Sequence, residues 1–91
     1  MTSNEVKVRV AAVLSTMVDM EERGTTVIPA SSVYMAVGMS MSVWELIRDV
    51  LVGADLVVYG RDHGLTLTEK GREVGVKCNA LLATRAAGSV S

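Results

Sequence analysis

Gly24, Gly38 and Gly53 fall where runs of apolar residues at helical spacing stop, so the first half of the sequence divides into helices that end at glycines. Thr2 and Glu5 have capping-box spacing, and after them Val6, Val10, Val13, Leu14, Met17 and Met20 make an amphipathic first helix that should end at Gly24. Thr25 to Ile28 is β-branched throughout and runs into Pro29, which predicts a short extended segment at a sheet edge. Ser31 or Ser32 can cap a second helix of about two turns carrying Val33, Tyr34, Ala36 and Val37. A third helix follows, capped by Ser40 or Ser42. Ser42 with Glu45 forms another capping box, and Val43, Leu46, Ile47, Val50 and Leu51 make its predicted buried stripe.

The pattern then changes period. Leu56 to Tyr59 and Leu65 to Leu67 read as two strands joined through Gly60 to Gly64, a hairpin. Thr68 caps a last helix with Glu69 in its first turn and Val74, Cys78, Leu81 and Leu82 on its apolar face, ending near Arg85. Gly71 and Gly75 weaken that helix by roughly 1 kcal/mol each relative to alanine, so packing must hold it. The expected fold class is mainly α with a small β-hairpin (α+β), in one domain over residues 1–85. Residues 86–91 form a frayed tail.

Composition narrows the function classes. A chain of 91 residues supports one core and no two-lobed cleft. Cys78 is the only cysteine and His63 the only histidine, so neither an internal disulfide nor a Cys/His zinc set can form. A reducing cytoplasm is the expected location, and Glu5, Lys7 and Arg9 interrupt the N-terminal valines where a signal peptide would be apolar. The uncharged stretch from Gly24 to Trp44 is interrupted by Pro29 and carries six serine and threonine hydroxyls, and it reads as soluble structure. Phosphate-binding glycine loops, nucleophile elbows and paired catalytic carboxylates are not recognisable. Neither enzyme activity nor a cofactor is expected.

Gly53-Ala54-Asp55-Leu56-Val57 resembles the G-x-x-L-V exit from a recognition helix into a wing, and Leu65-Thr66-Leu67-Thr68-Glu69-Lys70-Gly71-Arg72-Glu73 resembles the L-T-x-x-G-R/K-E return from the wing. Together with the order helix, strand, helix, helix, strand, strand, helix, these segments make the chain similar to winged helix-turn-helix regulators of the MarR and PadR types over roughly residues 5–83. That resemblance implies a transcriptional regulator, with the third helix in the major groove of double-stranded DNA, the wing on the backbone, and a homodimer as the working unit. The DNA contacts it implies are Ser40, Ser42, Trp44, Arg48, Arg61 and His63, with Arg48 able to read guanine through two hydrogen bonds.

Electrostatics pull the other way. Between Ser40 and Gly64 the bases Arg48 and Arg61 face the acids Glu45, Asp49, Asp55 and Asp62, a sum of −2 on a surface that would have to displace counterions from phosphate. An alternative keeps the fold and gives the third helix to a protein partner, as an adaptor or inhibitor, with Met41, Trp44 and Glu45, joined by Met39, as the contact patch. Trp44 is also readable as a ring at the edge of the core. A homodimer seam is expected from the terminal helices at Val6, Val10, Val13, Val74, Cys78 and Leu81.

Overall fold

The computed structural model describes residues 2–90, with side chains described as far as Leu81. Four helices and a small antiparallel sheet follow the order α1 (Ser3–Glu22), β1 (Ile28–Pro29), α2 (Ala30–Val37), α3 (Met41–Gly53), β2 (Val57–Tyr59), β3 (Gly64–Leu67) and α4 (Glu69–Val90), with a single 3-10 turn at Arg61–His63. The fold is thus mainly helical with a three-stranded sheet. Strand β3 lies in the middle, pairing Ile28 with Leu65 on one side and Val57, Val58 and Tyr59 with Leu67, Thr66 and Leu65 on the other. The expected hairpin is therefore completed by a third strand, and Pro29 sits at its edge, where its missing N–H costs no ladder hydrogen bond.

The helix ends show why the chain breaks where it does. Thr2 Oγ1 accepts from the Glu5 amide at 3.2 Å, and Ser40 Oγ accepts from the Val43 amide at 3.4 Å, so Ser40 and not Ser42 caps α3. Helix α2 starts one residue before the predicted serines: Pro29 is its N-cap and makes no side-chain bond. Its end at Gly38 is left-handed (φ 74°), the conformation that lets α3 begin three residues later. Thr68 Oγ1 accepts from the Gly71 amide at 2.9 Å and donates to the Asp55 carbonyl at 2.6 Å, fastening the start of α4 to the end of α3. Helix α4 continues past Arg85 to Val90, so residues 86–90 are helical rather than a frayed tail. The expected core position Leu82 lies outside the described side chains.

The core gathers Val13, Leu14, Met17 and Val18 of α1 with Ile28, Val33, Ile47, Leu51, Leu56, Leu65 and Leu67 around Trp44. Each fully buried aliphatic side chain contributes roughly 1.5–3 kcal/mol relative to exposure. Val13 has no exposed surface, which removes it from the expected dimer seam and places it in this core. Helix α4 seats closely on two sides because it presents Gly75 to α1 and Gly71 to the Leu56 backbone after α3. A Cβ on Gly75 would lie 2.5 Å from Val18 Cγ2 and 3.1 Å from the Leu14 carbonyl, and one on Gly71 would overlap the Leu56 carbonyl. The two glycines that weaken α4 in isolation are therefore what allows it to seat. Polar links reinforce the contact: the Ser15 hydroxyl bonds Asn79 Oδ1, Asn79 Nδ2 donates to Asp19 at 3.3 Å, and Arg72 grips Glu21 at 2.5 and 3.1 Å.

Candidate interaction face of α3 and the hairpin

Helix α3 turns its sides to different surroundings. Trp44, Ile47 and Leu51 face the core. At about 100° per residue, Met41, Glu45 and Arg48 fall on one side of that stripe and Val43, Leu46 and Val50 on the other. Relative to the predicted stripe the helix is rotated: Leu46 and Val50 are exposed, and Trp44 takes their place at 2% exposure. The physical reason is volume. The chain has no phenylalanine, and its one indole fills the space where α2, α3 and the sheet converge. Trp44 is thereby corrected from a surface contact, to DNA or to a partner, to a core residue. Met39 is likewise buried and leaves the contact patch.

The Met41 side of α3 faces the hairpin across an open cleft of about 470 Å³. Tyr34 and Trp44 contribute rings 6.0 Å apart, Ser31 and Ala30 of α2 form one rim, and Tyr59, Asp62 and His63 form the other. The Arg48 guanidinium lies 5.1 Å from the centre of the Tyr59 ring and 3.3 Å from Asp49 Oδ1. Partial desolvation works against its charge, but the hydrogen bond and charge of Asp49, aided by Tyr59, outweigh this and raise its pKa above the ordinary arginine value. Arg48 is therefore engaged on its own surface, with its side chain 27% exposed. Tyr59 Oη and His63 Nδ1 share a hydrogen bond of 2.5 Å. Asp62 and His63 both adopt left-handed backbone (φ 61° and 57°), which turns the tip back onto the cleft.

Six expected DNA contacts thus separate into different environments. Ser40 and Ser42 are exposed at the start of α3, with the Ser40 hydroxyl committed to its cap. Arg61 stands exposed at the hairpin tip, and His63 is exposed but bonded to Tyr59. Arg48 is half-buried and paired, and Trp44 is inside. Of the alternative patch, Met41 and Glu45 are exposed on the cleft side and Trp44 is its floor. Among the described residues no group of three or more His, Cys, Asp or Glu side chains is placed to hold a metal ion, and no helix is long and apolar enough to cross a membrane.

The expected seam residues are brought together elsewhere. Val6, Val10, Val74 and Cys78 line a shallow apolar groove with Val50, on the side of α3 opposite the cleft, while Leu81 projects from α4 at 66% exposure. The groove thus holds four of the α1 and α4 positions singled out from the sequence, together with Val50, whose spacing predicts a core position. Tyr59 is not singled out by the sequence, and Asp62 is read there only as an acid of the hairpin tip, although an Asp-His pair between glycines in a hairpin loop is a signal for left-handed backbone. No protein-family model matches this chain, and no curated protein sequence matches it.

Proposed function

We propose that the chain is a winged helix-turn-helix module whose α3 and hairpin face binds a protein partner. The arrangement is supported by the element order, the strand order β1-β3-β2, the glycine turn between α2 and α3, and the hairpin beside the exposed side of α3. The observation that carries the choice of partner is the outward surface of α3. Met41, Leu46 and Val52 are exposed there with Glu45 and Asp49, while the helix's single cation is occupied by Asp49 and Tyr59. Apolar area with methionine suits a protein interface, whereas duplex DNA rewards free cations that release counterions.

A second reading, sequence-specific DNA binding as a transcriptional regulator, is favoured by Arg61 and His63 standing exposed on the hairpin tip, close to the α3 side that carries Met41 and Arg48. The two readings separate in a retention assay on mixed genomic DNA fragments at about 50 and 200 mM salt. The protein-partner reading expects no fragment retained at either concentration. Retention that falls with salt and drops further in Arg48→Ala or Arg61→Ala would overturn it. The same proposal gives the α1–α3–α4 groove to a second copy of the chain: sedimentation of the full chain should return twice the chain mass, and Val50→Lys should return one.

A further inference from the structure

Resting on the protein-partner reading, we infer that the cleft between α3 and the hairpin recognises an arginine side chain presented by that partner. The argument begins with charge. Five charged side chains line the cleft or flank it, Glu45, Arg48 and Asp62 along its lining with Asp49 and Arg61 beside them, and only one pair is closed: Arg48 with Asp49. Glu45 of α3 and Asp62 of the hairpin line the same cleft, both are exposed residues, and neither makes an ion pair or hydrogen bond among the described residues. With Arg61 outside the lining, the cleft itself presents the two open carboxylates of Glu45 and Asp62 and a balance of one negative charge with its flanks included, and its complement is a cation.

Its surfaces select which cation. Tyr59 already receives the Arg48 guanidinium over its ring at 5.1 Å, a contact with an aromatic face that a planar delocalised cation makes more readily than a strongly hydrated ammonium. Tyr34, half-buried beside the buried Trp44 ring, offers the further flat apolar area. A guanidinium spreads five donors in a plane, so it can meet carboxylates on two rims while its faces rest on rings; a lysine head is compact and strongly hydrated. Phosphate is disfavoured at the same site by the sign of Glu45 and Asp62, which links this inference to the preference against DNA.

The test is an NMR titration of the isotopically labelled full chain with three blocked peptides, acetyl-Gly-Arg-Gly-amide and its lysine and glutamate versions, at low salt. The arginine peptide should shift the amides of Ser31, Tyr34, Glu45 and His63, bind more tightly than the lysine peptide, and weaken as salt is raised. Glu45→Gln with Asp62→Asn should weaken it by at least about tenfold, as expected when the charged partners of a bound cation are removed. Asparagine tolerates the left-handed backbone at position 62, so that variant keeps its tip. Glu5→Gln with Glu22→Gln, acids on α1 away from the cleft, should bind like the parent. Shifts outside the cleft, equal binding of the lysine peptide, or undiminished binding by the double cleft variant would each overturn the inference. Failure here with DNA still unretained rejects arginine recognition alone, whereas salt-sensitive DNA retention rejects the reading beneath it.

Discussion

The α1–α4 contact and the α3–hairpin cleft are built from similar materials, yet one is closed and the other is open. Between α1 and α4 the polar groups pair off: Gly75 lets the backbones touch, Ser15 and Asp19 meet Asn79, and Glu21 meets Arg72. Across the cleft, an arginine folds onto a tyrosine and its own neighbour, and two carboxylates face solvent without partners. Closure marks the first as structure. The second retains binding capacity that the fold itself does not use.

Substitutions at the boundary between these regions give the largest expected effect. Trp44→Ala removes the one indole from the core and should cost about 3–5 kcal/mol in urea unfolding, although its ring also floors the cleft. A loss under about 1 kcal/mol would mean that Trp44 belongs to the cleft and not to the core. Gly71→Ala should destabilise by about 3 kcal/mol, reversing the roughly 1 kcal/mol gain that alanine brings to an ordinary helix, because its Cβ has only the Leu56 carbonyl to displace. A stabilised variant in calorimetry would show that α4 does not approach as described. Ser40→Ala should cost about 1 kcal/mol through its lost cap.

On the open side, Glu45→Gln with Asp62→Asn should leave stability within about 0.5 kcal/mol while weakening arginine-peptide binding. The smallest effect concerns acid. Arg72, chiefly by its hydrogen bond, holds the Glu21 carboxyl below its ordinary value of 4.5. The folded state thus binds that proton less readily than the unfolded state, and the pair's stabilisation is present above pH 4.5 and lost as pH falls through the lower folded value. Melting temperature followed through this window should fall less in Glu21→Gln than in the parent.

The same division governs how much was legible from residues alone. Capping at Thr2 and Thr68, the glycine stop of α2 and the paired strands are local matters of a few neighbouring side chains, and the mainly helical fold with a small sheet follows from them. The rotation of α3 was not legible, because Val43, Trp44, Leu46, Ile47, Val50 and Leu51 form an apolar arc wider than the core contact, and spacing cannot choose its centre. Packing volume chooses it, through Trp44. The role of Gly71 and Gly75 was hidden for a related reason: their neighbours Leu56, Leu14 and Val18 are distant in sequence, although two small residues four apart on one helix face are a usable sign of close approach. The joining of Arg48, Tyr59 and Asp62 around one cleft likewise required the hairpin to turn back through two left-handed residues.

Because Trp44 is the chain's sole tryptophan and its ring forms the bottom of the cleft beside Tyr34, the protein carries a built-in optical gauge. A guest settling against Tyr34 alters the surroundings of that single buried emitter, so intrinsic fluorescence can rank candidate partners without any attached dye.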